Sequence, residues 1–213
     1  MKVLVACECS GRVRDAFAKR GHHAVSCDLA PSKTYGQHHQ GDVRDILDQG
    51  WDLMIAHPDC TYLTNSAAWA FKDGPYHQKV KPDTLVGEDR RLARIRAIEF
   101  VKGLWAAPIE RKAIENPVGS LSTMWKEPTQ FIQPYEYGDD ASKITCLWLD
   151  NLPPLVPTGF VKPRLVKHGK RYVMRWANQT DSGQNKETPS DDRAEIRSTT
   201  WQGWADAMAS QWG

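Results

Sequence analysis

Apolar and polar positions along the first half of the chain form blocks that are typical of strands and helices in turn. Short runs rich in β-branched and other apolar residues predict strands buried in a sheet, in the segments MKVLVACE, HHAVSCDL, WDLMIA and RKAIENP. Apolar residues recur at helical spacing in residues 12–20 and 87–106, which predicts helices there. This alternation predicts an α/β protein with a Rossmann-like, mostly parallel sheet and helices on both faces.

The pattern changes in the second half of the chain. TQFIQPYEYG and ITCLWLDNLPPL predict further strands, and the turn His168-Gly169 between two alternating runs predicts a hairpin. The polar segment NQTDSGQNKETPSDDR predicts a loop, and TTWQGWADAMASQWG predicts a closing helix. We therefore expect a main domain over residues 1–155, a basic hairpin with a polar loop over 156–196, and a helix over 197–213 that packs back on the main domain.

Composition narrows the class of protein. A chain of 213 residues with 40% hydrophobic and 25% charged residues is typical of one globular domain with room for a small lobe. Five scattered cysteines without a CxxC pair argue against a disulfide framework and a structural metal site, and favour a reducing cytoplasm. No apolar stretch is long enough to span a bilayer, so we expect no membrane partner. The net charge of +2 is too small to indicate nucleic acid by itself.

Polar motifs follow the predicted strands at their carboxyl ends, where open parallel sheets bind ligands. They are ECSG, Asp28, HPDC and ENP. The ECSG turn either presents backbone N–H groups to a carboxylate or phosphate, or is a plain turn into a helix. Asp28 either accepts hydrogen bonds from ribose hydroxyls or caps a turn, and Asp42 either binds an adenine amine or caps a short helix. Together these motifs predict one crevice at this edge of the sheet.

Cys60 lies in a loop after the third predicted strand, and Pro58 shapes that loop. A thiol in this position either attacks a ligand in the crevice or is structural. Glu115 has the matching position after its own strand. Its carboxyl is either held protonated or shares a proton with a ring nitrogen, or it is a solvated cap. Other cysteines fall within predicted strands, where we expect buried, small hydrophobic side chains: Cys7, Cys27 and Cys146.

The order of these motifs resembles that of the S-adenosylmethionine-dependent cytosine-5 DNA methyltransferases, in a compact form common among phage and prophage proteins. The resemblance covers residues 1–155 and the C-terminal helix, and it implies a Rossmann-like methyltransferase fold with residues 1–155 as the catalytic domain. In that family the cysteine of the Pro-x-Cys motif adds to C6 of the pyrimidine, and the glutamate of the ENP-type motif contacts N3 and the exocyclic amine. The resemblance thus implies that Cys60 is the nucleophile and Glu115 the partner of N3.

The same resemblance implies a site for S-adenosylmethionine. Asp28 would hold the ribose and Asp42 the adenine amine, and the turn at residues 8–11 would lie near the methionine part. The implied cofactor-binding residues are Glu8, Ser10, Gly11, Asp28, Leu29, Asp42, Val43 and Pro58.

The chain departs from the family pattern in three places. Asp59 replaces the usual second proline before the cysteine, and a carboxylate beside a thiol raises the pKa of the thiol. The Asp59 side chain either takes part in the catalytic site, binds substrate or caps the following turn. The first turn is CECSG rather than a glycine-rich FxGxGG, and no large target-recognition domain is present.

The missing domain leaves the substrate open between DNA and a free pyrimidine nucleotide such as dCMP. A third alternative is a catalytically idle homologue that binds nucleic acid. The basic hairpin is either a minimal DNA-binding element or a solvated edge, and the loop at residues 67–81 either closes over a flipped base or is a surface loop. A phage-encoded protein of this kind would act in the cytoplasm of the bacterial host. The residues expected to contact substrate are Asn116, Lys143, Lys162, Arg164, Lys170, Arg171 and Arg175.

Overall fold

The strands form one seven-stranded sheet and a separate two-stranded hairpin. The computed structural model describes residues 1–186 and 199–213. The large sheet contains β1 (Lys2–Ala6), β2 (His23–Asp28), β3 (His38–Gln40), β4 (Leu53–Ala56), β5 (Arg111–Pro117), β6 (Gln130–Ile132) and β7 (Thr145–Asp150). The hairpin consists of β8 (Arg164–His168) and β9 (Arg171–Arg175). The α-helices are α1 (Arg12–Ala18), α2 (Gly87–Trp105), α3 (Leu121–Met124) and α4 (Gln202–Trp212), and 3₁₀ helices cover Val43–Asp45, Ala68–Phe71 and Pro134–Glu136.

The strand order across the large sheet is β3-β2-β1-β4-β5-β7-β6. The first five strands in this order are parallel, and β7 runs antiparallel between β5 and β6. The α/β class and the mostly parallel sheet predicted from the sequence are therefore confirmed. The order reverses between β1 and β4, which places a ligand-binding crevice at the carboxyl ends of these strands.

Two apolar layers cover the two faces of the sheet. On one face α1 and α4 pack side by side, with Trp204 and Trp212 of α4 fully buried. On the other face α2 contributes Ile98, Val101 and Leu104. The predicted closing helix and hairpin are confirmed, while part of the predicted polar loop, residues 187–198, lies outside the described residues. No helix within the described ranges combines the length and the apolar character that crossing a bilayer requires.

The first half of α2 differs from the sequence prediction. Leu92 and Ile95 fit the apolar periodicity, but they are 44% and 50% exposed. The reason is that this half of the helix uses arginines for its tertiary contacts. Arg90 and Arg94 both lie over the ring of Phe71, with their guanidinium carbons 4.7 and 3.3 Å from the ring centre.

A buried arginine shapes the wall of the crevice next to β2. Arg14 on α1 is 1% exposed, and its guanidinium donates to Ser26, Ser32 and Thr34. It thereby fastens the segment after β2 to α1. The segment comes so close that a Cβ atom on Gly11 would lie 2.0 Å from Oγ1 of Thr34. Gly11 also has a φ of +78°, so both the backbone conformation and the close approach require glycine there.

Candidate active site

A cavity of about 820 Å³ opens at the carboxyl ends of β1, β2 and β4. This volume lies in the range of pockets that hold nucleotide-sized ligands. Seven of the eight residues expected to bind the cofactor line it: Glu8, Ser10, Asp28, Leu29, Asp42, Val43 and Pro58. The eighth, Gly11, lies at the N-terminus of α1 beside them.

Glu8 is the most buried acid of the cavity, at 4% exposure. Its Oε1 accepts hydrogen bonds from the hydroxyl of Ser10 at 2.6 Å and from the backbone N–H of Val13 at 3.2 Å. The carboxylate therefore caps α1. Because it occupies the backbone N–H of Val13, that N–H is not available to an anionic ligand. The other oxygen, Oε2, is buried and has no hydrogen-bond partner within the described part of the chain. The turn thus offers a ligand one carboxylate oxygen, which suits a donor or a cation.

Asp28 and Asp42 line the cavity, and each also caps a local turn. Oδ1 of Asp28 accepts from the backbone N–H of Ala30 at 2.9 Å. Asp42 accepts from the backbone N–H of Arg44 and forms a bidentate ion pair with the Arg44 guanidinium. These hydrogen bonds from Arg44 lower the pKa of Asp42 to about 2. A ligand amine would have to share the Asp42 oxygens with Arg44.

The two hydrophobic members of the predicted cofactor set differ in burial. Val43 is 4% exposed and belongs to the core on the α2 face, while Leu29 is 76% exposed at the rim of the cavity. Tyr62 and Phe100 also line the cavity, so part of its wall is aromatic.

The HPDC loop continues from β4 and is held by the end of β5. Nδ2 of Asn116 donates to the carbonyl of Pro58 at 2.8 Å. Asn116 is 1% exposed because its side chain points to the other face of β5 from that of Glu115. The amide nitrogen of Asn116 thus positions the loop, while its Oδ1 is buried without a hydrogen-bond partner among the described residues, and the contact of Asn116 with substrate stays a prediction.

The other side of the loop is held by α2. Arg90 donates to the carbonyl of Thr61 at 3.2 Å, and Arg94 donates to the carbonyl of Tyr62 at 3.0 Å. The carbonyl of Cys60 accepts from the backbone N–H groups of Leu63 and Thr64, both at 3.0 Å. The backbone around Cys60 is thus fixed by Asn116 on β5, by the two arginines of α2 and by the turn that follows Cys60.

Asp59 caps the turn that follows it. Its Oδ1 accepts from the backbone N–H of Thr61 at 3.0 Å and from the Thr61 hydroxyl at 2.7 Å. Among the alternatives for Asp59, the capping geometry is observed. Burial, the Asp59 carboxylate and the Glu115 carboxylate raise the pKa of Cys60, and the charge of Lys143 opposes them. The Cys60 thiol is therefore mostly protonated near pH 7.

Replacing Asp59 by asparagine is expected to make Cys60 more reactive. The amide oxygen can keep the cap on Thr61, while the negative charge beside the thiol is removed, so the pKa of Cys60 falls. Alkylation of Cys60 by iodoacetamide at pH 7.5 should become roughly three- to tenfold faster. The rate is measured by mass spectrometry of the Cys60 peptide, and the part-buried Cys9 serves as an internal control. An unchanged or slower rate at Cys60 would contradict the electrostatic account.

His57 and Glu115 form a pair that the sequence analysis missed. Ala56 and Ile114 are register partners on β4 and β5, so the next residues along, His57 and Glu115, face each other across neighbouring strands. Nδ1 of His57 lies 3.1 Å from Oε2 of Glu115, and the two side chains are 7% and 12% exposed. Nε2 of His57 is buried without a partner among the described residues. The sequence did contain a signal for this pair. His57 follows β4 directly, and Glu115 belongs to the ENP motif at the end of the adjacent strand β5.

The pair changes what Glu115 can do. Burial raises the pKa of Glu115, but the hydrogen bond from His57 and the charges of Lys143 and His57 more than reverse this, so its pKa lies below the ordinary value. Of the alternatives for Glu115, a carboxyl that burial holds protonated is contradicted by this lowered pKa. Glu115 is a buried carboxylate, oriented by an imidazole that also lines the cavity.

The charge of Lys143 acts on both Cys60 and Glu115. Its charge lowers the pKa of Cys60 and that of Glu115. Its backbone N–H donates to Oε1 of Gln133 at 2.9 Å, which fixes the segment before β7. The expected contact of Lys143 with substrate stays a prediction.

The cysteines expected to be buried behave differently from one another. Cys27 and Cys146 are fully buried, as predicted. Cys7 lies just beyond β1 rather than within it, has a φ of +57° and lines the cavity. Burial and the charge of Asp28 raise the pKa of Cys7 to about 12, so its thiol is unreactive.

The loop at residues 67–81 is held against α2 in this structure. Arg91 donates to the carbonyl of Phe71 at 2.9 Å, and Trp69 makes edge contacts with Tyr76 and His77. These contacts tie the loop to the same helix that positions the HPDC loop.

Basic residues of the hairpin fall into two groups. Arg164 pairs with Asp181 at 2.5 Å and donates to the carbonyl of Gln179, and Arg175 donates to the carbonyl of Asp181 at 3.2 Å. These two side chains therefore brace the chain itself, and their contact with substrate stays a prediction. The others expected to contact substrate are exposed: Lys162, Lys170 and Arg171. Within the described ranges, no group of three or more histidine, cysteine or acidic side chains could hold a metal ion.

The similarity of this chain to known proteins is confined to solved structures. No protein family matches the sequence, and no curated protein matches it. Among the solved structures that match is an E. coli protein encoded within a prophage and proposed to be a DNA modification methyltransferase, with a TM-score of 0.43 and 12% identity. The match covers 76% of this chain and 52% of that protein, so the chain spans about half the length of the protein that it matches.

Proposed function

We propose that this chain is a methyltransferase that moves a methyl group from S-adenosylmethionine to C5 of cytosine in DNA. The observation that carries the proposal is that side-chain contacts hold the HPDC loop against the end of β5. Asn116 ties Pro58 to β5, and His57 pairs with Glu115, so the thiol of Cys60 and the carboxylate of Glu115 lie near the ends of neighbouring strands. They lie next to three residues of the cavity wall, His57, Pro58 and Asp59, and not in that wall themselves. Cytosine addition chemistry requires these two groups on opposite edges of one ring.

The cavity fits the proposed cofactor. Its walls carry carboxylates from Glu8, Asp28 and Asp42 together with the aromatic ring of Phe100. The unpartnered Oε2 of Glu8 complements a cationic group, and S-adenosylmethionine carries both an ammonium and a sulfonium. Glu8, Asp28 and Asp42 would hold the cofactor, which supplies an electrophilic methyl group for C5.

Cys60 and Glu115 would carry the chemistry on the pyrimidine. The Cys60 thiol gives up its proton, and its sulfur forms a bond to C6 while N3 takes up one proton. Glu115, kept ionised and oriented by His57, accepts hydrogen bonds from the N3 proton and from the exocyclic amine. The addition makes C5 nucleophilic. After C5 is methylated, loss of its proton restores the ring, N3 returns its proton, and the thiolate leaves C6.

DNA is the proposed form of the substrate. The cations of the hairpin provide a surface for phosphates, and residues 156–180 contain lysines and arginines but no aspartate or glutamate. A pyrimidine held between Cys60 and Glu115 would be one extruded from the duplex.

One observation favours a second candidate, a catalytically idle protein that binds nucleic acid. Burial and Asp59 raise the pKa of Cys60, which disfavours the thiolate. An idle homologue need not keep the cofactor cavity functional. A rise in melting temperature with millimolar S-adenosylmethionine is expected for the enzyme, and no rise is expected for the idle protein.

Methyl transfer from labelled S-adenosylmethionine tests the proposal. Duplex DNA and dCMP are offered in parallel, and product nucleosides are identified by mass spectrometry. We expect label in 5-methylcytosine from the duplex. Label in dCMP alone would replace DNA by a free nucleotide as substrate, and no label from either substrate would contradict the proposed activity.

A further inference from the structure

The two faces of the β8-β9 hairpin differ in what covers them. Cross-strand partners share a face, so the pairs Arg164–Arg175 and Val166–Val173 lie on one side. On this inner face the arginines bind the segment at Gln179–Asp181, and the two valines are half-buried. The inner face is therefore occupied by the protein itself over these two pairs, while its third pair, His168–Arg171 near the turn, is exposed.

The outer face is exposed and apolar. It carries the pairs Leu165–Met174 and Lys167–Tyr172. Leu165, Met174 and Tyr172 are 64%, 58% and 68% exposed. Adjacent apolar side chains left in water on a single face of a hairpin are typical of a binding surface.

Charge around the outer face identifies the kind of partner. Lys167 lies on the face itself, and two further exposed cations flank it in sequence: Lys162 before β8 and Lys170 in the turn. No acidic residue occurs in residues 156–180, so this surface complements a polyanion. Two-stranded ribbons of this width enter a groove of duplex DNA, where apolar side chains contact base edges and sugars while lysines contact phosphates.

The base of the hairpin is fixed to the reaction site. The ring of Trp176 stacks on Tyr135, with ring centres 4.2 Å apart. Asn178 exchanges two hydrogen bonds of 3.0 Å with the backbone of Ser142, the residue before Lys143. A duplex held on the hairpin would therefore keep a fixed position relative to Lys143, whose charge acts on Cys60 and Glu115.

We propose that the outer face of the hairpin, formed by Leu165, Lys167, Tyr172 and Met174, is the surface that docks duplex DNA. This inference rests on the proposed function for its substrate, and it assigns recognition to one face of the hairpin. The inner-face arginines Arg164 and Arg175 support the fold of the hairpin and do not contact phosphates.

Fluorescence anisotropy with a labelled 30-base-pair duplex tests this surface across a series of salt concentrations. Tyr172→Ser is expected to weaken duplex binding about tenfold, as loss of an exposed aromatic contact does. Lys167→Ala should reduce the slope of log affinity against log salt by about one. Matched controls are Phe131→Ser, an exposed aromatic on β6, and Lys19→Ala, an exposed lysine at the far end of α1. Both controls should bind DNA as the unmodified chain does.

S-adenosylmethionine binding and methyl transfer are measured on the same proteins, which separates the two proposals. Weakened DNA binding in the outer-face variants supports the surface, even if the unmodified chain transfers no methyl group. Unchanged binding in both variants overturns the surface, and methylation of the duplex would then leave the proposed function in place. Preference for an RNA duplex of the same length, or no duplex binding at all, also overturns it.

Discussion

Replacement of Cys60 by serine is expected to lower methyl transfer by at least about a thousandfold. A serine hydroxyl ionises far less readily than a thiol and is a weaker nucleophile towards C6. The substitution removes little else, because the contacts that fix residue 60 are made by its backbone carbonyl. Binding of DNA and of S-adenosylmethionine should therefore be unaltered.

A duplex that carries 5-fluorocytosine gives a second readout of the same substitution. Fluorine at C5 cannot leave as a proton, so the sulfur–C6 bond should persist after methylation and link the protein to DNA on a denaturing gel. The unmodified chain should form this adduct at Cys60, as mapped by mass spectrometry, and the serine variant should form none. Transfer above one tenth of the original rate by Cys60→Ser, or an adduct mapped to Cys9, would contradict the assignment.

The position of the site could be predicted from the sequence because it depends on local patterns. Apolar runs mark the strands, and the carboxyl ends of parallel strands share one edge, so the sequence places Asp28, Cys60 and Glu115 near that edge. Glu115 nevertheless lies within β5, which extends to Pro117, and not after it as predicted. β3 could not be predicted in this way. Its three residues, His38–Gln40, are neither apolar nor alternating, and they become a strand by pairing with β2.

The contacts within the site could not be predicted, since they depend on register and side-chain direction. Glu8 turns inward to cap its own helix, and Asn116 reaches back to Pro58. The same limit left the ionisation of Glu115 open in the sequence. Burial could be predicted from the strand, whereas the imidazole of His57 facing it depends on how β4 and β5 align.

Replacement of Glu115 by glutamine is expected to lower methyl transfer by about two to three orders of magnitude. The amide is nearly isosteric and can still bind a pyrimidine edge, but it carries no charge to stabilise a proton at N3. Formation of the 5-fluorocytosine adduct should be lost in parallel, because attack at C6 depends on that proton. Normal adduct formation by this variant would contradict the role assigned to Glu115.

The variant His57→Gln tests whether the imidazole of His57 controls the ionisation of Glu115. Without the charge of His57, and with at most a neutral amide donor in its place, burial weighs more and the pKa of Glu115 rises. A carboxylate whose pKa rises becomes protonated at higher pH, so the acid limb of the pH–rate profile should move to higher pH. Transfer near pH 6 should then fall about tenfold, and most of the rate should return near pH 8.5. A purely structural role for His57 would lower the rate equally at every pH, whereas a shift of the acid limb ties the imidazole to the ionisation of Glu115.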